Sequence, residues 1–247
     1  MPPFHMHSFS EGKVRRLCKE HKIQRWLHYN HTHMSRVFPS GKRIDSSNYS
    51  PIWGWATGCQ MVALNFQTTD SQLRLNDGRF RENGSCGYIC KPSLLMVDTN
   101  ITVFPVKLKM RILSGSCFPK PKGEKKGEVI DSYVKVTLHD FNIETGKEVV
   151  STEKTSTVYN NGFFPIWNEE YFKFKVLNPD VAILQFTVWD RDVTSDDFIA
   201  SSSIPISCLR KGFRSVRLYD ANNSRSGAFQ FPSLLVEICK NEQSQEI

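Results

Sequence analysis

Between residues 102 and 115 the chain reads TVFPVKLKMRILSG. That alternation limits the local fold more than any other feature. Val106, Leu108, Met110 and Ile112 fall on one side of an extended chain, and Lys107, Lys109 and Arg111 on the other. A strand with one buried face separates the two sets, whereas a helix would turn lysines into the core. Further strand-like runs follow: SYVKVTLHD, EEYFKFKVLN, AILQFTVWD, SVRLYD and SLLVEICK, with Gly, Pro, Asn and Asp between them. Short strands separated by turns predict an all-β sandwich over residues 103–240.

Residues 1–97 have a different texture. Residues 11–28 are expected to form a helix, with Val14, Leu17 and Cys18 on one face and Ile23, Trp26 and Leu27 on a face of slipped phase. SFSE ahead of it matches a capping box, Ser8 capping and Glu11 reaching back. SRVFP predicts a short strand ended by Pro39, and GKRIDSSNYSP predicts a loop. CQMVALNFQ, at 59–67, is expected to be a strand buried on both faces of a parallel sheet, and GYICKP, at 87–92, another strand. This part is therefore read as α/β.

Of the formal net charge of +7, most sits early: residues 1–100 carry 13 Lys/Arg against 7 Asp/Glu. A basic excess favours nucleic acid or anionic lipid, or is a solvated surface. The aromatics do not interleave with the basic residues as in a nucleic-acid reader, so no nucleic-acid partner is expected. No apolar run reaches the roughly 18 residues of a membrane span, and the N-terminus lacks a signal-peptide pattern. The 7 cysteines are odd in number, and Cys86 and Cys90 have no second pair at zinc spacing. A cytoplasmic location, with any membrane met peripherally, is the expectation.

FTVWDRDVTSDDFIA, at 186–200, crowds Asp190, Asp192, Asp196 and Asp197 behind an apolar strand. Phe186, Val188, Asp190 and Asp192 share a side by alternation. Carboxylates held this close repel one another, and a divalent cation relieves the repulsion; calcium takes six to eight oxygens from flexible loops. An EF-hand fails, because loop positions six and twelve would be Ser195 and Ser201. An acidic, solvent-exposed turn whose aspartates cap local N–H groups is the other reading of the spacing.

DSYVKV, NGFFPIWNE and WDRD…DDFIA, in that order, resemble the C2 domain, a calcium-dependent membrane-binding β-sandwich. The resemblance implies that Asp131, Asn160, Asp190, Asp192 and Asp197 sit in loops at one end and bind calcium, which bridges them to lipid phosphate. It departs from the family where the first loop offers only Glu124 and Glu128, and where Asn168 stands for an Asp of some relatives. Lysines in that first loop would attract anionic lipid directly.

Taken alone, Arg36 at a strand end grips a phosphate or pairs with a carboxylate. RIDSSNYSP, GCQMVALNFQT, CGY and KP together resemble the Y-box half of a phosphoinositide-specific phospholipase C of delta- or zeta-like type. In that family a C2 domain follows the Y half. The resemblance implies a fold of α/β partial TIM barrel (the C-terminal half) followed by an all-β C2 sandwich. It implies that Ser8 and Arg36 contact headgroup phosphates, with Phe38 packing on the inositol ring where the family usually has Tyr. The implied activity is hydrolysis of phosphatidylinositol 4,5-bisphosphate to diacylglycerol and inositol 1,4,5-trisphosphate in intracellular signalling. The family's two catalytic histidines and catalytic calcium ligands belong to the X half. With seven residues ahead of Ser8, this chain is expected to lack them, to hold no catalytic residue and to be inactive alone unless an X half is supplied. A non-catalytic calcium- and phospholipid-binding module remains the other function open at this point.

Overall fold

The computed structural model describes residues 5–96, 104–124, 129–167 and 170–241. In its first part, β1 (Met6–Ser10), β2 (Met34–Phe38) and β3 (Met61–Val62) form a parallel sheet in that order. Ser8 lies opposite Arg36, and Arg36 opposite Met61. Four helices accompany them: α1 (Glu11–Leu17), α2 (Glu20–Thr32), α3 (Ile52–Ala56) and α4 (Ser71–Phe80). Val14, Cys18, Ile23, Trp26 and Leu27 bury themselves with Val37 on one side of the sheet. Alternation along β2 places Arg36 and Phe38 on the other side, only half-buried.

The helix expected over 11–28 is two helices, and the break at Cys18–Lys19 is the physical cause of the slipped apolar phase. The capping box does not form. Ser8 lies inside β1, and the residue ahead of α1 is Ser10, whose side chain makes no capping bond. Glu11 instead accepts Ser40 N–H at 2.9 Å and takes the Arg43 guanidinium at 2.6 and 2.8 Å. A two-oxygen grip on arginine outcompetes one capping bond. Only Met61 and Val62 of 59–67 are strand, and both are half-buried. Among the described residues β2 is the sole neighbour of β3. Residues 87–92 form a loop rather than a strand.

The second part is two four-stranded sheets. One has the order β10 (Gly212–Arg217), β11 (Ser233–Asn241), β4 (Val106–Ser116), β7 (Phe172–Val176); the other has β6 (Lys147–Lys154), β5 (Ser132–Asn142), β8 (Ile183–Asp190), β9 (Asp197–Pro205). The six expected strands are all present. β6 and β9 are additional: charged KEVVSTEK and the serine run of DFIASSSIP carry little apolar signal. Leu108, Met110, Ile112, Val136, Leu138, Leu184, Phe186, Val188, Val236 and Ile238 build the core between the sheets.

β4 alternates buried and exposed as its sequence dictates, whereas β5 and β8 are buried on nearly every residue. The first part lies against their outer face. Phe141 meets Trp53 edge-on at 5.4 Å, and Phe141, Val181 and Ile183 belong to the core of the helical half. Polar groups pair across the same contact. Ser50 and Trp53 donate to Glu148 at 2.6 and 2.9 Å, Ser71 donates to Gln185 at 2.9 Å, and the Ser93 hydroxyl donates to Asp180 at 2.6 Å. The turn between β5 and β6 reaches the break between the first two helices. A Cβ on Gly146, which has φ +60°, would stand 1.6 Å from the Cys18 carbonyl oxygen, so only glycine permits this approach.

His139 is buried on the same outer face, opposite Ile183, with the Gln185 side chain beside its ring. Burial pushes it down from 6.5 to about 4. The neutral ring is favoured in the folded state, so its contribution to stability is complete above the unfolded value. It is lost as pH falls from 6.5 to about 4, a loss of at most about 3 kcal/mol. Chemical denaturation of wild type and His139→Gln across this window should show a steeper acid loss for wild type; parallel profiles would contradict the assignment.

Candidate calcium and phosphate sites

The end of the sandwich where β8 stops collects the acidic residues. Strand register sets Ser132 opposite Asp190 and Asp190 opposite Asp197, so Asp131 immediately precedes β5, Asp190 ends β8 and Asp197 starts β9, three neighbouring strands. Backbone donors then tie the loops together. Asp131 N–H donates to Asp190 Oδ1 at 2.7 Å, Asn160 N–H donates to Asp131 Oδ1 at 2.8 Å, and Arg191 N–H donates to the Asp131 carbonyl at 2.9 Å. Asn160 reaches this position at φ +52°, a conformation Asn tolerates better than most residues.

Asp190 is buried, and its carboxyl is raised above the usual range. Burial is the main cause, followed by the charges of Asp192, Asp131 and Asp197, against a lowering from the Asp131 N–H. Asp192 N–H points at Asp196 Oδ1 across 3.4 Å, and Tyr133 Oη donates to Asp196 Oδ2 at 2.7 Å. Burial, the Asp196 bond and its charge push the Tyr133 hydroxyl up to about 12. Asp196 is thus part of the same loop network, although alternation placed only Asp190 and Asp192 on one side; its signal was its bond to Tyr133, which spacing does not reveal.

Of the five residues expected to hold calcium, Asp131, Asn160 and Asp190 are linked by hydrogen bonds, while Asp192 joins through charge and Asp197 through register and charge. Asn160 enters through its backbone N–H. Among the described residues no three acidic, histidine or cysteine side chains converge into a ready metal cluster. The donor chemistry nevertheless fits a hard cation. All the donors are oxygens, and Asp131 and Asp190 each leave a second carboxylate oxygen with no hydrogen bond to a described residue. Their mutual repulsion is what a bound cation would relieve. Glu128 and Asn168 lie outside the described residues.

The second candidate site is on the half-buried side of the parallel sheet. Arg36 stands 5.5 Å from the Phe38 ring and makes no ion pair with a described residue. Both line an open cleft of about 340 Å³ with Ser40, Arg43 and Asn65. Arg43 is already committed to Glu11. Burial raises the Glu11 carboxyl, but the Arg43 hydrogen bond, the Ser40 N–H and the Arg43 and Arg15 charges outweigh it, so Glu11 lies below the usual range. Among the described residues Arg36 makes no ion pair, so in this cleft it is the cation left uncommitted. Ser8 is beside Arg36 across the β1–β2 pair but outside the cleft lining.

Residues 1–94 match the family model of the phosphatidylinositol-specific phospholipase C Y domain, and residues 106–221 match the C2 domain. The chain carries a phospholipase C Y domain joined to a C2 domain. It is 39% identical over 234 residues to human 1-phosphatidylinositol 4,5-bisphosphate phosphodiesterase delta-1, covering 90% of this chain and 30% of that protein. Against the delta-4 protein of Macaca fascicularis it is 38% identical over 250 residues, covering 97% and 30%. Human inactive phospholipase C-like protein 1 is 39% identical over 224 residues, covering 86% and 20%. The crystal structure of L. pealei PLC21 superposes with a TM-score of 0.80 at 30% identity, over 95% of this chain and 30% of that one. The chain thus spans about 30% of the length of the phosphodiesterase relatives. The Y domain contributes the Arg36 cleft and the C2 domain the acidic loops. Among the described residues no helix is long and apolar enough to cross a membrane.

Replacing Asp190 by Asn keeps an acceptor for the Asp131 N–H and removes one of four mutually repelling charges. In chelator at neutral pH the variant should melt at or slightly above wild type, by no more than about 1 kcal/mol after solvent screening. Added calcium should raise the melting temperature of wild type and not of the variant. Equal calcium responses would remove Asp190 from the site.

Proposed function

We propose that this chain is the Y-half and C2 portion of a phosphoinositide-specific phospholipase C. The activity of the assembled enzyme is hydrolysis of phosphatidylinositol 4,5-bisphosphate to diacylglycerol and inositol 1,4,5-trisphosphate. Residues 1–97 are the C-terminal half of a (β/α)8 barrel, and residues 103–240 are the C2 domain. The observation that carries this reading is a parallel sheet covered by helices on one side, with Arg36 and Phe38 on its other, half-open side. In a closed barrel that side faces inward, and active sites form at strand C-terminal ends. Phe38 ends β2. Arg36, with Ser8 beside it, binds headgroup phosphate, and Phe38 lies under the inositol ring.

The C2 loops hold calcium through Asp131, Asn160, Asp190, Asp192 and Asp197. Calcium there supplies charge that draws anionic headgroups to the loop end. The chain works in the cytoplasm, peripherally on phosphoinositide-containing membranes. The acid–base histidines come from the X half, so residues 1–247 alone do not turn over substrate.

A second reading, a non-catalytic calcium- and phospholipid-binding module, is favoured by one observation. The inactive phospholipase C-like protein 1 resembles this chain as closely as the delta-1 phosphodiesterase does, at 39% identity each. Vesicles containing labelled phosphatidylinositol 4,5-bisphosphate separate the two. The chain alone should release no inositol trisphosphate. Adding a phospholipase C X half should restore release, and Arg36→Ala should reduce that release by about 10- to 100-fold, as expected for a charge-assisted phosphate contact. No release with any X half leaves the binding module; release by the chain alone overturns the division of labour.

A further inference from the structure

The outer face of the β10–β11–β4–β7 sheet lies on the opposite side of the sandwich from the Y domain. Register sets Lys107 directly opposite Lys175 and Lys109 opposite Lys173, with all four side chains exposed. Like charges facing one another across a strand pair are destabilising. Among the described residues only Lys109 feels a nearby acid, Glu237, whose main partners lie elsewhere. Glu237, on the same face, is taken by Arg111 Nε at 2.7 Å and by Tyr171 Oη at 2.8 Å. Lys109 sits 4.5 Å from the Tyr171 ring centroid, and none of the four lysines ion-pairs with a described residue. The fold builds this repulsion and offsets it only at Lys109, leaving the rest to something anionic from outside.

The same face changes character toward the loop end. Ile166 bridges to Ser114 of β4, and Ser114 lies opposite Leu235 of β11. Ile166 is 59% exposed and Leu235 43%, and the adjoining turn presents Phe163 at 78%. Apolar side chains at one end of a flat face, continuous with lysines along the rest, match a bilayer surface. The apolar groups enter the acyl boundary while the lysines lie at phosphate level. An acidic polypeptide would satisfy the lysines but not the exposed Ile166 and Phe163.

We propose that the C2 domain has a second, calcium-independent membrane contact formed by Lys107, Lys109, Lys173 and Lys175 together with Ile166 and Phe163, through which it lies side-on against anionic lipid. This deepens the membrane-binding reading above and rests on it, but uses none of the acidic-loop residues.

The test is co-sedimentation of the full 247-residue chain with vesicles of phosphatidylcholine containing a minority of phosphatidylserine, in chelator and then in calcium. In chelator the wild type should bind, weaken as salt rises, and ignore vesicles of pure phosphatidylcholine. The combined variant Lys107→Gln, Lys109→Gln, Lys173→Gln, Lys175→Gln should lower chelator-state partitioning on the order of 100-fold. It should melt no lower than wild type, since it removes like-charge pairs. Ile166→Ser with Phe163→Ser should lower partitioning about 10-fold or more. Unchanged partitioning of the lysine variant, no wild-type binding in chelator, or capture of polyglutamate in place of vesicles would each overturn the proposal. The calcium increment is read separately. If it is missing while lysine-dependent binding in chelator persists, the calcium reading fails and this one stands.

Discussion

The contact on which the rest depends is the burial of both faces of the β5–β8 strand pair. One face closes the sandwich core through Val136, Leu138, Phe186 and Val188; the other gives Phe141 and Ile183 to the core of the Y domain. Full burial of such side chains stabilises by about 1.5–3 kcal/mol each, but apolar contact alone does not choose an orientation. The polar groups on that face do. Gln185 finds Ser71 and Ser203, Glu148 finds Ser50 and Trp53, and Asp180 finds Ser93. A docking that slid by one residue would strand these groups, at about 1–3 kcal/mol each. Gly146 and Gly78 let backbone approach where a Cβ would collide, with Cys18 and Ser203 respectively.

With that docking set, the charged groups sort by whether the fold satisfies them. Glu11 and Arg43 complete one another and shape the loop beside the cleft. Arg36, Asp190 and the lysine pairs of β4 and β7 are not completed within the described residues. Arg36 lacks a carboxylate, Asp190 faces three like charges, and each of these lysines faces another. Uncompensated charge at strand ends and on open sheet faces is where ligands and surfaces are recognised. The same criterion picks out all three places.

Much of this was legible beforehand, and the misreadings have physical causes. Alternation in β4 gave its two faces residue by residue. The slipped phase across 11–28 was a true signal of two helices, read as one because the break is filled by the distant turn at Gly146. The capping box at Ser8 and Glu11 had the right letters, but Glu11 had a stronger partner 32 residues away in Arg43. The apolar run at 59–67 promised a strand buried on both faces; only Met61 and Val62 pair as strand, with β2 alone beside them among the described residues, and both are half-buried. Among the site residues, the placement of Asp131 and Asp190 at strand ends was readable; Arg36, expected at a strand end, is instead the middle residue of β2, and Asp196 was not readable because its tie to Tyr133 crosses 63 positions.

By itself the sequence determined the apolar side of β4, where strands give way to acidic loops, and the order of Y domain and C2 domain. Those are local properties, since period-two alternation and turn residues are set by neighbours along the chain. Only the tertiary structure decided which sheet receives the Y domain and which keeps its lysines exposed. That choice depends on shape and on polar pairs such as Ser50 with Glu148, 98 positions apart, and no pattern confined to one segment can specify a partner in another.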